Sequence, residues 1–318
     1  MNLLIDLTLL IGILAIAFTC IVSRSLFRSV VFFILLGLML AIGWIRLGAP
    51  DIALAEAAIG AGITGVLLLD TLGHLKKTGN LENDEPAPSR KRLVLAIVSS
   101  FTLVGLLLWA VFNQPTPAIN IHLLVTEAMP ESGVSHPITA VLLNFRSYDT
   151  LLEVGVLVLA VLVGLALQTD QQAQDSLPGL PNPLLHACLT LLIPAMLITS
   201  MYLLWAGSDR PGGAFQAGAM LAAAFILLHI SGIKLSSQVS HRMMQAGLLL
   251  GFGVFLAVAT SSLIGGRPLL AYPEGGAGML ILLIELALTL SIGLILLSLF
   301  TIANSPPHQT YQGGDHGH

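Results

Sequence analysis

Apolar stretches of roughly 18–25 residues recur along this chain, at 3–22, 26–45, 51–72, 93–112, 149–168, 185–206, 214–231, 242–262 and 277–301. About 20 apolar residues, rising 1.5 Å each, cover the hydrocarbon core of a bilayer. The pattern predicts an all-α polytopic integral membrane protein with nine transmembrane helices. Polar residues gather between the stretches, and two such segments read as linkers. Residues 76–92 (KKTGNLENDEPAPSRKR) mix charge with Pro and Gly, and 169–183 (TDQQAQDSLPGLPNP) are polar and Pro-rich. The 113–148 segment is too long for a plain connection. Its apolar run Ile138–Leu143 predicts a short helix on or in the outer interface. The tail 304–318, with His308, His316 and His318, reads as disordered.

Composition agrees with the pattern. Of 318 residues, 55% are hydrophobic and 9% charged, with mean hydropathy +0.90. Soluble domains carry about 25% charge, so a soluble domain is excluded. A formal net charge of −4 gives no basis for a nucleic-acid partner. The first residues, MNLLIDLTLLIG, lack a basic leading segment and a small-residue cleavage site, so they read as a retained first helix. Cys20 and Cys188 each fall in a predicted span, which suggests neither a disulfide framework nor a metal site. No metal or cofactor is expected.

Charge placement orients the chain. With the N-terminus outside and the C-terminus inside, the inner loops hold nine of the thirteen Lys and Arg residues and the outer loops four. The inner loop 169–183 holds none of them. Loop 76–92 carries five, at Lys76, Lys77, Arg90, Lys91 and Arg92, so it is expected to be cytoplasmic. A cysteine placed at Asn83 of an otherwise Cys-free variant should therefore resist an impermeant thiol reagent in intact cells. Labelling there would invert the orientation.

The most informative stretch is 48–65, GAPDIALAEAAIGAGITG. Pro50 suits the first position of a helix, since it has no N–H to lose. Ala53, Ala57, Ala61 and Gly65 recur every four residues, a spacing that lets another helix approach closely. Gly60, Gly62 and Gly65 form a GxGxxG, but it follows no strand and reads as helix packing. Glu56 lies about 8 Å inside the helix start by helical rise. A carboxylate at that depth is costly. It either snorkels to the near interface or serves a proton or cation relay.

Two further carboxylates lie in spans. Asp149, Thr150 and Glu153 open the fifth, where Thr150-x-x-Glu153 fits a capping box. Glu56 and Glu153 also lie at matched depth, so they could exchange a proton if their helices pack side by side. A cap and a relay are compatible. Glu285, in LLIELALTL, lies about 13 Å into the ninth span and has no capping role. Asp70 reads as a solvated helix end and His229 as a hydrogen-bonded interfacial residue. The turn DRPGGAFQAG, residues 209–218, has Pro211, Gly212 and Gly213 before a helix N-terminus. The free N–H groups there can attract an anion or a carboxylate, and a plain structural turn fits equally. No Lys or Arg lies deep in any span, so a buried Lys–Glu switch would need a lysine from a neighbouring chain.

Three segments carry a resemblance. GAPDIALAEAAIGAG, residues 48–62, resembles the signature of the D-type domain of membrane-bound hydrogenases, which also occurs in the C-terminal part of the large A-type component of Mrp-type multisubunit cation/proton antiporters. NFRSYDTLLE, residues 144–153, is similar to the next piece of that region, close to DFRGFDTLGE in the family. AGSDRPGGAFQAG, residues 206–218, is similar to the turn of the Mrp B-type component, near AGHxxPGGGFxGG. Ala55, Asn144, Leu152, Ser208 and Ala214 stand where the family carries Thr, Asp, Gly, His and Gly. The resemblance implies modules at 1–75 (D-like), 93–170 (E-like) and 184–303 (B-like), with linkers at 76–92 and 171–183.

The expected function is that of a fused accessory subunit, in the bacterial inner membrane, of a complex exchanging Na⁺ or another monovalent cation for protons. Glu56 and Glu153, with Glu285 third, are the expected proton or cation path. The implied partners are other Mrp-type or hydrogenase-type membrane subunits, including antiporter-like ones. Two alternatives are a membrane arm of an energy-converting hydrogenase or related respiratory complex, and a structural spacer.

Overall fold

The computed structural model describes residues 2–77, 89–114, 120–167, 183–232, 241–264, 266–273 and 275–303. Every regular element among them is helical. Residues 78–88, 168–182 and 304–318, which hold most of both predicted linkers and the whole tail with its three histidines, lie outside the described residues.

Helices α1 (Asn2–Val22) and α2 (Leu26–Arg46) form a hairpin. Arg46 Nε donates to Asp6 Oδ1 at 2.6 Å and ties their ends. After a turn at Gly48, α3 (Pro50–Ala55) starts with Pro50 in its first turn. It widens into a π-helical segment, Glu56–Ile63, and continues as α4 (Thr64–Lys77). Then come α5 (Arg90–Phe112), α6 (Ile121–Ala128) and a 3₁₀ turn, Met129–Glu131. Next, α7 (Pro137–Ala140) runs through a π turn, Val141–Phe145, into α8 (Ser147–Leu167). Last are α9 (Pro183–Ala206), α10 (Ala214–Ile230), α11 (His241–Ile264) and α12 (Ala277–Ala303).

Among the described residues, eight helical stretches are long and apolar enough to cross a bilayer, and α10, with 17 residues, is shorter. The seventh expected span, 214–231, is thus the short one, and its neighbours explain its length. Gly213, just before α10, lies against Glu285, which sits eight residues beyond the start of α12. That is about 12 Å along the α12 axis. The α9–α10 turn therefore dips into the bundle, and α10 needs fewer residues.

The core is built around α12. Ile281, Ile284, Leu288 and Ile295 are fully buried there, against α8, α10 and α11. Lipid tails are as apolar as leucine, so close packing rather than hydrophobic transfer holds such helices together. Small residues supply that closeness. Ala217, Ala222 and Ala224 of α10 are fully buried, and a Cβ on Gly218 would sit 2.9 Å from Ile292 Cβ. The π segment Glu56–Ile63 joins this core through Ile63, which packs with Ala219 and Ala222 of α10. Its small-residue row meets α2, where a Cβ on Gly37 would lie 3.1 Å from Ala61 Cβ. By contrast α5 buries no residue within this chain.

The short helix expected over Ile138–Leu143 exists as α7 and the following π turn, with one face packed on the protein. Ala140 and Leu143 are buried, while Ile138 and Leu142 face outward. His229, expected at the interface, sets its ring edge-on to Phe300 with centroids 6.3 Å apart.

Candidate functional site

Glu56 opens the π-helical segment. A π turn leaves backbone carbonyls without their usual partners, and such segments concentrate at functional sites. Thr64 repairs the far end. Its backbone N–H bonds to the Ile59 carbonyl, and its hydroxyl donates to the same oxygen at 2.8 Å. The half-buried Glu56 side chain folds back over Gly60, where an added Cβ would lie 2.5 Å from Glu56 Oε1. Gly60 therefore provides the space for the carboxylate. Gly65 faces Ile34 of α2, a packing contact.

Glu153 sits differently. Helix α8 begins at Ser147, three residues before Thr150, so Thr150 and Glu153 lie inside the helix rather than at its cap. The Thr150 hydroxyl donates to the Leu142 carbonyl at 2.6 Å, across the π turn. The capping-box reading is thus corrected: the π turn delivers the chain into α8 earlier than the motif spacing suggests. Asp149, at the helix start, pairs with Arg146. Glu153 is exposed, flanked by Leu152 and Val156, which are 62% and 65% exposed. Nor do the helices bearing Glu56 and Glu153 pack side by side. Contacts run from the π segment to α10, from α10 to α12, and from α12 to α8. The small residues of α10 let it settle between the modules, which separates the two carboxylates.

The remaining candidates converge. At the α9–α10 turn the backbone folds back on α9, and the Gly207 and Gly213 N–H groups both bond to the Leu203 carbonyl. Gly213 has φ +106° and ψ −177°, a region open essentially to glycine alone. The buried carboxylate of Glu285, 1% exposed, accepts a hydrogen bond from the Ala214 N–H at the first turn of α10. Its Oε2 has no hydrogen-bond partner among the described residues. A helix N-terminus favours negative charge at that place. Irregular backbone at membrane depth is tolerated only where protein satisfies it, and Glu285 meets part of that need.

Asp51 meets another part from the opposite side. Although it lies in the first turn of α3, its carboxylate faces the α9–α10 turn. Oδ1 accepts from the Gly212 N–H at 3.2 Å, and Oδ2 lies 3.0 Å from His136 Nε2. Gln216 Nε2 donates to the Asp51 carbonyl at 3.3 Å. Segment 132–139 closes the arrangement: the Ser135 and His136 N–H groups both bond to the Ser208 carbonyl, and the Thr139 hydroxyl donates to Gly207 O at 2.5 Å. Asn144 Nδ2 donates to the Ser132 carbonyl at 2.9 Å, a bond that an ionised Asp could not donate. Tyr272 packs on the neighbouring hydrophobic core, which includes Leu143, Ala214 and Ile281, and burial pushes its phenol up to about 12.

Asp51, Gly212, Gly213 and Glu285 are therefore brought together with Pro211 in the same turn, while the contacts of Glu56 with Gly60 and the exposed position of Glu153 on α8 do not place them in it. His136, Gln216 and Thr139 are site residues that motif reading passes over. Among the described residues, no three His, Cys, Asp or Glu side chains gather as they would around a metal ion.

Comparison with known proteins bears on two stretches of the chain, 11–77 and 184–303. Residues 11–77 match the family of the D component of MBH. Residues 184–303 match the family described as a domain related to the MnhB subunit of Na⁺/H⁺ antiporter. Over 231 residues the chain is 27% identical to a probable A/B-type K⁺/H⁺ antiporter subunit of Rhizobium meliloti (strain 1021), covering 62% of this chain and 23% of that protein. The chain thus spans about a quarter of that relative's length. The fold is similar to a chain of the Mrp complex from Dietzia sp. DQ12-45-1b, with TM-score 0.72 and 20% identity over 95% of this chain and 35% of that one. It is also similar to a chain of the membrane-bound sulfane sulfur reductase, an archaeal respiratory membrane complex, with TM-score 0.57 and 22% identity over 68% of this chain and 99% of that one.

Proposed function

Because this multi-pass membrane chain joins a region of the MBH D type to an MnhB-related domain, we infer that it is an accessory membrane subunit of a multisubunit monovalent cation/proton antiporter in a bacterial inner membrane. Its work is ion transfer rather than covalent chemistry. The related proteins are described with Na⁺ and with K⁺, so the substrate class is monovalent cations and protons. Its partners are other Mrp-type or hydrogenase-type membrane subunits, with antiporter-like ones among them. Glu56, Glu153 and Glu285 contribute acidic groups to the proton or cation path.

The observation that carries the subunit reading is Glu153. It lies six residues inside α8, on an exposed face beside Leu152 and Val156. A carboxylate turned to lipid at that depth is costly, and a neighbouring chain removes the cost. The absence of a deep Lys or Arg in any span also leaves a buried Lys–Glu switch to a neighbour. The purified chain alone, reconstituted into proteoliposomes, should therefore exchange no cation for protons, while the assembled complex should. Robust exchange by the isolated chain would refute the accessory role. A second reading, a membrane arm of a respiratory complex, is favoured by the likeness to the sulfane sulfur reductase chain. Redox subunits found by mass spectrometry of the detergent-purified complex would favour it.

A further inference from the structure

We propose that His136 and Asp51 form a proton-loading pair reached from a cleft at the end of the bundle that carries the α9–α10 turn. The proposal rests on the antiporter reading and adds to it a site distinct from the glutamates. A cleft of about 780 Å³ is lined there by His122, Met129, Ser135, Pro137, Ser208 and Asp209. Both chain neighbours of His136, Ser135 and Pro137, form its wall, and the His136 N–H bonds to the Ser208 carbonyl on the same wall. The His136 and Asp51 side chains are 13% and 10% exposed. They are withdrawn from bulk solvent without being sealed from it.

The geometry suits transfer of one proton. His136 Nε2 lies 3.0 Å from Asp51 Oδ2, within the range for direct proton transfer. In the resting pair Nε2–H donates to the Asp51 carboxylate. A proton from cleft water binds Nδ1, and the Nε2 proton passes to Oδ2. This leaves neutral imidazole protonated at Nδ1 and neutral Asp51. One proton has left the water and the pair has gained one positive charge. Asp51 Oδ1 meanwhile accepts from the Gly212 N–H, and two residues on the Ala214 N–H holds Glu285. Neutralising Asp51 weakens its hold on that turn, so loading the pair is felt at the carboxylate behind it. Other ionisable groups at this end include Asp209, bonded to the Ser135 hydroxyl, Arg210 beside it in the turn, His122 across the cleft, Glu131 just before segment 132–139, and Glu285 beyond the turn. Gln216, from α10, is the neutral polar neighbour.

The test uses the assembled complex in vesicles, with subunit levels checked by blot. His136→Gln keeps an N–H donor toward Asp51 but cannot carry a proton. Exchange should fall at least about tenfold, as far as in His136→Ala, because general acid–base groups contribute that much or more. Asp51→Asn keeps the acceptor for Gly212 and should lose as much. Imidazole added to the buffer should restore part of the exchange of His136→Ala. Wild-type exchange in His136→Gln, or no response of His136→Ala to imidazole, would overturn the proposal. If His136→Ala fails to assemble, the Gln variant decides. A second readout needs no transport: diethyl pyrocarbonate should carbethoxylate His136 in the intact complex, and His136 unmodified while His122 reacts would also overturn the pair. The pair is thus judged even if the complex exchanges no cation. Conversely, intact exchange in Glu56→Gln variants leaves His136 to be judged by its own variants.

Discussion

Replacing Gly213 by alanine is expected to cost on the order of 2–4 kcal/mol and to deplete the membrane of assembled protein. Two effects add. The backbone there sits at φ +106° and ψ −177°, where a Cβ is strained whatever the surrounding space. The added Cβ would also lie 3.1 Å from Glu285 Oε1, crowding the carboxylate against the N-terminus of α10. Gly212→Ala should be as damaging, since its Cβ would meet the Leu203 carbonyl oxygen at 2.5 Å, and backbone cannot swing aside. Gly253→Ala is the internal control. It lies within α11 with nothing inside 4 Å of an added Cβ, and alanine is the better helix former by about 1 kcal/mol. Thermal melting of the purified complex in detergent, with blots of subunit level, reads all three. A Gly213→Ala protein that assembles and melts like wild type would mean the turn is not the joint described here.

The helices were the most legible part of the chain, because a run of about 20 apolar residues leaves the backbone one way to satisfy its hydrogen bonds in lipid. Even α10 was visible as a span. Its short length was not, since that depends on a turn sinking to the level of Glu285, a tertiary fact. The Pro-Gly-Gly turn before a helix carried the right chemistry for holding a carboxylate, and the carboxylate it holds comes from about 70 residues further along the chain. Periodicity cannot supply such a pairing. The π segments misled more seriously. Thr150-x-x-Glu153 has the spacing of a cap, but a π turn over Val141–Phe145 starts α8 at Ser147 and moves both residues into the helix. His136 carried one local signal, a histidine immediately before the proline that opens α7. Its partner lies 85 residues earlier, and only the fold brings them together. Asn144 departs from the Asp of the family pattern, and its amide makes the departure intelligible by donating to Ser132.

The glutamates carry the second large effect. Glu56 lies over Gly60 within a π segment, and Glu153 is exposed within α8. With the cap reading removed, Gln at either position keeps size and hydrogen bonding and removes only the capacity to take and release a proton. Glu56→Gln should therefore lose exchange as completely as Glu56→Ala. Glu56→Asp should keep part of it, because it shortens the reach by one methylene and retains the carboxyl. Glu153→Gln should lose exchange without loss of assembly, whereas a residue that served packing alone would tolerate Gln. The most direct measurement is cation-driven dequenching of a pH-sensitive dye in vesicles bearing the complex, compared between wild type and the Glu56→Gln, Glu153→Gln double variant at matched subunit levels. The account predicts a signal reduced to that of vesicles without the complex. A double variant that is normally assembled and fully active would contradict it and leave these helices a packing role alone.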